Sequence, residues 1–384
     1  MNYRTHIVSS LSEIGQAPWD ALVARQDRPN PFLSFAFLHA LHESGSATPD
    51  TGWQPQYIAL YAPDAEGGES LAAALPLYVK GHSYGEYVFD WAWADAYRRH
   101  GLDYYPKLLS AIPFTPVAGP RLLARDAGAR AALVDVLVGT QGATDVSSTH
   151  VLFPPEDQAQ QLAAAGFLLR RGVQFHWMNA GYATFDDFLA TLEQKKRKNI
   201  RAERRKVREA GVSMRRVRGR DVTDEEWRFF TRCYRNTYAE HGSRPYLNLD
   251  FFRRIGRTMP DNLLLVIAER DGAPIAASLV VHDATTLYGR YWGALEHVPC
   301  LHFEAAYYQP LEFCIEQGIA VFEGGAQGEH KMARGFLPTR TWSAHWLGHP
   351  SFADAVEEFL QREAGGIDDY IDELNDRNPF RDRT

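Results

Sequence analysis

Cysteine is scarce in this chain: Cys233, Cys300 and Cys314 are the only three among 384 residues, odd in number and widely spaced. They make no CxxC pair and no metal-ligand spacing, which argues against a disulfide framework and a sequence-encoded zinc site. No HExxH helix occurs either. Reduced thiols of this kind fit a cytoplasmic protein. No apolar run approaches the roughly 20 residues that span a bilayer, and the first ten residues lack the apolar stretch of a signal peptide. The apolar runs at 263–268 and 276–281 are only of strand length. Peripheral contact with an anionic membrane remains compatible with this pattern.

The bulk composition is that of a globular protein, with 45% hydrophobic and 23% charged residues. The length suits two domains, each large enough to bury a core. The net charge of −7 hides an asymmetry. Between Lys195 and Arg220 there are thirteen Lys/Arg against Glu203 and Glu209, a local excess of +11, while the rest of the chain is acidic. Lys195, Lys198, Arg201, Arg205 and Arg208 recur every three or four residues and share one helical face; Leu189, Leu192, Ile200 and Val207 mark the buried side. Like charges crowded at this spacing cost stability, so the stripe is read as an anion-binding face, with tRNA, a nucleotide-linked precursor or anionic lipid as partner. A solvated surface is the plainer alternative.

The chain also repeats itself. Residues 56–79 and 263–281 both read as a strand, an acidic Gly-containing turn and a second strand. Phe89-Asp90-Trp91 then stands where Arg290-Tyr291-Trp292 stands later, and Tyr104-Tyr105-Pro106 where Tyr307-Tyr308-Gln309-Pro310 stands. Helical patterns precede each hairpin, at about 17–25 and 33–44, and at about 184–210, 224–240 and 249–258. A further helix is expected after each Trp-bearing strand, near 101–111 and 302–317. The expected fold class is α/β with mixed sheets, in two tandem domains, 1–170 and 171–384, the second carrying the basic helix 186–210.

The basic element Lys195-Lys196-Arg197-Lys198-Asn199-Ile200-Arg201-Ala202-Glu203-Arg204-Arg205, the block His302-Phe303-Glu304-Ala305-Ala306-Tyr307-Tyr308 and the block 322–336 together resemble the FemAB-like branch of the GNAT N-acyltransferases, over nearly the whole chain. The FKxxFG element of the better-known Fem enzymes corresponds here to His330-Lys331-Met332-Ala333-Arg334-Gly335-Phe336, with the Lys kept and the Gly and Phe reversed. The resemblance implies two GNAT-like domains and an acyltransferase that moves an aminoacyl group from aminoacyl-tRNA to an amine of a small molecule, peptide or cell-envelope precursor. It implies no bound cofactor.

Acyl transfer to an amine needs a polarised carbonyl, a proton acceptor and groups held in attack geometry. The glycine-rich block 323–336 offers proton-transfer groups in Glu329, His330 and Lys331, with Glu304 at the start of the preceding helix as a further catalytic candidate. Glu323, Gln327 and Arg334 in that block, Arg290, Tyr291 and Trp292 on the strand before it, and Asp90 and Trp93 in the first half are candidates for substrate binding. Lys195, Lys198, Arg201 and Arg205 are the candidate anion or RNA contacts. No metal site is expected. Enzymes that use acyl-CoA carry a Q/R-x-x-G-x-G/A loop whose amides hold the pyrophosphate. No full match occurs; Arg98-Arg99-His100-Gly101-Leu102-Asp103 ends in an acid that would repel phosphate. Two alternatives stand beside the leading reading: an acyl-CoA enzyme with a degenerate loop, and a non-catalytic pair that binds an anionic ligand.

Overall fold

The computed structural model describes residues 3–64, 67–326 and 328–381. It separates into two compact units. One comprises the chain up to Gly172 together with Arg340–Asp369, the other Val173–Thr339 together with the chain from Tyr370 onward. Both are mixed α/β, as the strand and helix patterns require.

In the first unit, the strands Arg4–Val8, Tyr57–Pro63, Glu69–Leu75 and Leu123–Ala124 form an antiparallel sheet in that order. Alternation places Ile58, Leu60, Ala73 and Leu75 in a core closed by Leu133, Val134 and Leu137 of the helix Ala127–Ala143. A second set of strands, Trp53–Pro55, Tyr78–Lys80, Lys107–Ser110 and Ser148–Leu152, pairs in sequence order.

Two sequence expectations fail in this unit. Trp91 opens a helix, Trp91–Arg99, instead of lying on a strand. Its buried residues are Trp93 and Tyr97, four apart, so the helical period outweighs the local alternation of WAWADA. The helix expected near 101–111 is absent, and Lys107–Ser110 is a strand with all four residues buried. Pro106 removes a helical donor there, and a run buried on both faces reads as a central strand.

The second unit is built around an antiparallel meander. Val212–Arg218, Leu263–Arg270, Ala273–His282 and Thr286–Ala294 pair in order. Leu263–Ala268 is wholly buried, which explains its unbroken apolar run. The crossover expected at 302–317 forms as Leu301–Phe303, a π-turn at Glu304–Tyr308 and the helix Gln309–Gln317. It returns the chain to Val321–Ala326, which lies parallel to the Trp292 strand. The helices Asp224–Glu240 and Leu249–Thr258 occupy the ranges their periodicity predicts.

The basic segment is two helices, Phe185–Thr191 and Gln194–Glu209. Leu192 between them is extended and bridges to Phe380, so a backbone pairing interrupts what the periodicity read as one helix. Leu189, Leu192, Ile200 and Val207 are all buried, on the side the spacing assigned.

Candidate active site

The parallel pairing that follows the crossover is short. Thr286–Tyr288 run beside Val321–Glu323, and beyond that point both strands are irregular. On one, Tyr291 pairs with Leu279 and Gly289 with Val280, so Arg290 is the extra residue of a bulge. On the other, Glu323 pairs with His176 and Ala326 with Gln174, so Gly324 and Gly325 together face Phe175 alone. Bulges bend strands and re-aim side chains. The second one needs glycine. Gly325 has φ +79°, and a Cβ on Gly324 would come within 3.0 Å of the Phe175 carbonyl oxygen and 3.1 Å of the Phe336 ring.

Where the strands part lies a cavity of about 160 Å³. Its walls include Ser278, Arg290, Trp292, His302, Tyr307 and Gly324. The Trp292 and His302 rings are 5.3 Å apart, and His302 and Tyr307 5.4 Å. Arg290 is almost fully buried. It donates to Glu323 Oε2 at 3.0 Å and to the backbone oxygens of Gly289 at 3.0 Å and Glu323 at 3.3 Å. The Arg290 and Glu323 proposed from sequence are therefore one ion pair.

Lys331 lies on the 3₁₀ turn Glu329–Arg334 and is buried, with Nζ donating to the Gly325 carbonyl oxygen at 3.3 Å. Burial, reinforced by the positive charge of Arg290, lowers its pKa to about 8. Lys331 therefore exchanges protons near neutrality, as a general acid or base must. The histidines around it are held neutral. Burial and then the His330 ring bring His302 to about 4, and burial and then Arg290 bring His176 to about 3. His330, partly exposed, is lowered by burial and by Arg334 and Lys331.

Other sequence candidates are placed differently. Tyr291 borders the cavity, but its ring packs against Tyr234 and Phe252. Glu329 is exposed and accepts from Tyr370 at 3.0 Å and Arg377 at 3.3 Å, outside the cavity wall. Glu304 is buried and accepts two hydrogen bonds from Arg204, at 2.9 and 3.0 Å, and one from Gln309. Arg334 donates to Glu203 at 2.8 and 2.9 Å and to the His330 carbonyl at 2.7 Å, with its guanidinium 3.4 Å from the Phe303 ring centre. Gln327 lies outside the described residues. Lys195, Lys198, Arg201 and Arg205 are exposed on the outer face of Gln194–Glu209, with Arg201 paired to Asp186 and Arg205 to Glu209.

Asp90 and Trp93 belong to the first unit. Asp90 is buried and accepts from Lys107 at 2.5 Å and Tyr104 at 2.7 Å, while Trp93 packs on His345. The Arg98–Gly101 stretch sits at the C-terminal end of the helix Trp91–Arg99, where the dipole disfavours phosphate.

Sequence reasoning missed His176, His302, Glu203 and Arg204. Glu203 carried a signal, being one of two acids in the +11 stretch. It also passed over Gly81-His82-Ser83-Tyr84-Gly85, which fits G-x-S-x-G. That loop follows the strand Tyr78–Lys80, and Ser83 Oγ accepts from Lys107 at 2.7 Å. Burial alone would lower the Lys107 pKa, but Glu86 and Asp90 outweigh it and raise it. Lys107 therefore stays protonated and cannot serve as the base of a serine nucleophile.

A family model described as FemAB-like, peptidoglycan biosynthesis/recognition, matches residues 10–382. The chain belongs to the FemAB-like family. Among solved structures it is similar to FemX, at 13% identity and a TM-score of 0.57, covering 93% of this chain and 100% of that one. It is also similar to the C-terminal domain of a putative lysylphosphatidylglycerol synthetase from Agrobacterium fabrum, at 12% identity and a TM-score of 0.52, covering 90% and 96%. L-PGS from Bacillus licheniformis matches at 9% identity and a TM-score of 0.51, covering 89% and 96%. No curated protein matches the sequence. The fold is thus shared with these proteins, and this FemAB-like chain is a transferase of the Fem type. Among the described residues, no helix is long and apolar enough to cross a membrane, and no group of His, Cys, Asp and Glu could hold a metal ion.

Proposed function

We propose that this FemAB-like protein transfers an aminoacyl group from aminoacyl-tRNA to an amine, with the cavity between the parted strands as the transfer site. One observation carries the reading: the cationic helix is tied by adjacent inward residues to the turn that holds Lys331 against the Gly325 carbonyl, next to the cavity wall, and to the turn that bears the cavity residue Tyr307. Glu203 grips Arg334 on the Lys331 turn, and Arg204 grips Glu304 on the turn that bears Tyr307. A polyanion on the outer face of Gln194–Glu209 would be fixed relative to the reacting centre through these pairs.

In this reading Lys331, with its pKa near 8, takes or returns the proton of the attacking amine, and Arg290 polarises the acyl carbonyl. Trp292, His302 and Tyr307 enclose the acyl group. The acceptor is an amine on a small molecule, peptide or envelope precursor. Glu329 is a weaker catalytic candidate than Lys331, because it faces Tyr370 and Arg377.

The test is binding and turnover with bulk aminoacylated tRNA and, separately, with acetyl-CoA, at two salt concentrations. Salt-sensitive tRNA binding lost in Lys198→Glu/Arg201→Glu/Arg205→Glu, without CoA binding, supports the proposal. Saturable CoA binding that ignores this variant overturns the donor assignment. Tight tRNA binding with no transfer to any amine overturns the catalytic one.

A further inference from the structure

His302 and Tyr307 face the same cavity with their ring centres 5.4 Å apart, yet they stand five positions apart in the chain. At 3.6 residues per turn, positions five apart lie about 140° round an α-helix and do not share a face. Side chains three or four apart do. The turn Glu304–Tyr308 resolves the conflict. It is a π-turn, in which the N–H of Gln309 reaches back five residues to the Glu304 carbonyl. The wider turn admits one more residue and brings position 307 round to the side of position 302.

Pro310 is one reason the chain widens here. In a continuous α-helix its ring would meet the carbonyl of Ala306, four residues before it. The widening leaves Ala305 short of a donor. α-Helical spacing would offer its carbonyl the N–H of Gln309, but that N–H goes to Glu304. The spacing of the π-turn would offer the N–H of residue 310, and proline has none. Ala305 is fully buried, so its carbonyl needs a donor from outside the helix.

Ser278 supplies that donor. It lies on the strand Ala273–His282 and is the one polar residue between Ile275 and Val281. It is 1% exposed, and its Oγ donates to the Ala305 carbonyl oxygen at 2.7 Å. Its strand partner is Trp292, which forms another part of the cavity wall. The neighbouring Glu304 is anchored separately, by Arg204 and by the Gln309 side-chain amide. With its proton committed to Ala305, the Ser278 hydroxyl acts on the turn.

We propose that Ser278 is a positioning residue of the transfer site: its hydroxyl takes the carbonyl orphaned by Pro310 and so fixes the π-turn that sets His302 and Tyr307 side by side in the cavity wall. This rests on the cavity being the site of transfer, and the test separates the two.

The experiment compares Ser278→Ala, Pro310→Ala and the double variant with the wild type. Thermal unfolding, aminoacyl transfer and the titration of His302 are followed, the last by NMR of protein carrying isotope-labelled histidine, with His302→Gln for assignment. In the wild type the His302 ring stays neutral down to about pH 4. In Ser278→Ala the turn loses its tie to the sheet. The His302 titration should move toward the ordinary 6.5, the unfolding midpoint should fall, and turnover should drop roughly ten- to a hundredfold with KM little changed. Pro310→Ala adds an N–H five residues beyond Ala305, the spacing of the π-turn. In the double variant that N–H takes the carbonyl, so all three readouts should return to those of Pro310→Ala alone. An unmoved His302 titration or unchanged turnover in Ser278→Ala would overturn the proposal. So would a double variant as impaired as Ser278→Ala, since the hydroxyl would then be needed for itself, against substrate or in packing. A wild type that transfers nothing from aminoacyl-tRNA would overturn the donor assignment instead, while unfolding and the His302 titration still decide what Ser278 does.

Discussion

Replacing Lys331 by Met should make this protein more stable near neutral pH while abolishing transfer. In the folded chain the Lys331 pKa falls from the ordinary 10.5 to about 8, because burial and Arg290 both disfavour the ammonium. At about 1.4 kcal/mol per pH unit, carrying the proton in the folded state at pH 7 costs about 3 kcal/mol relative to the unfolded chain. Met fills nearly the same volume without the charge. Losing its polar contacts, the hydrogen bond to Gly325 among them, forfeits about 1–2 kcal/mol, which leaves a net gain of about 1–2 kcal/mol. The sign with pH follows from linkage. Between about 8 and 10.5 the unfolded chain binds the proton more tightly, so wild-type stability from this residue rises with pH through that window. Below it both states are protonated and the full cost is paid. Urea denaturation at about pH 7 and about pH 10 should therefore show the advantage of Lys331→Met shrinking by about 2 kcal/mol at the higher pH. A variant that is destabilised equally at both pH values would refute the reasoning.

Glu203→Gln should leave Arg334 under-neutralised and loosen the Lys331 turn. Since Glu203 is partly exposed, a Glu203/Arg334 double-mutant cycle should return a coupling of about 1–2 kcal/mol, measured by urea denaturation. Lys198→Glu/Arg201→Glu/Arg205→Glu should reduce the slope of log binding constant against log salt for tRNA by about 2–3 without altering thermal unfolding. Gly325→Ala places a side chain at φ +79° and should cost about 1–2 kcal/mol, read from the denaturation midpoint, with a parallel loss of transfer. His150, buried against His345 at 2.8 Å, has its pKa lowered to about 3 by burial and then by Lys107. Its neutral form contributes stability that is complete above about pH 6.5 and is lost as pH falls toward about 3. His150→Gln should flatten that acid limb, followed by fluorescence.

The meander of the second unit was legible because periodicity and burial coincide there. Leu263–Ala268 is an unbroken apolar run, and Asp224–Glu240 opens on a capping box whose Thr223 and Glu226 are three apart. The first unit was less legible where aromatic content imitated a strand: Phe89-Asp90-Trp91 resembles Arg290-Tyr291-Trp292 as a string, yet its central Asp90 is held by the buried Lys107, seventeen residues further on. Gly324 and Gly325 announced close backbone approach. Which cations face the cavity and which face solvent was hidden, because it depends on partners far along the chain. Arg204 meets Glu304 across 100 positions and Arg334 meets Glu203 across 131. Bulges are similarly silent, since one extra residue in a strand leaves no mark on composition.

The two buried lysines show how charged neighbours decide whether burial is left to lower a lysine's pKa or is overcome. Lys107 is surrounded by Glu86, Asp90 and Ser83, and the two carboxylates raise its pKa despite complete burial. At Lys331 burial lowers the pKa, and the neighbouring Arg290 lowers it further. The first arrangement favours the ammonium and fixes a loop; the second makes the proton easy to remove, as the proposed proton transfer requires. The same substitution should therefore act in opposite directions. Lys107→Met strands two buried carboxylates and should destabilise the protein by about 3–5 kcal/mol, whereas Lys331→Met removes a disfavoured charge and stabilises it. Denaturation of the two variants side by side at about pH 7 decides the matter. Two shifts of the same sign would mean that electrostatic surroundings do not separate a structural lysine from a reactive one here, and the assignment of Lys331 to the chemistry would lose its physical basis.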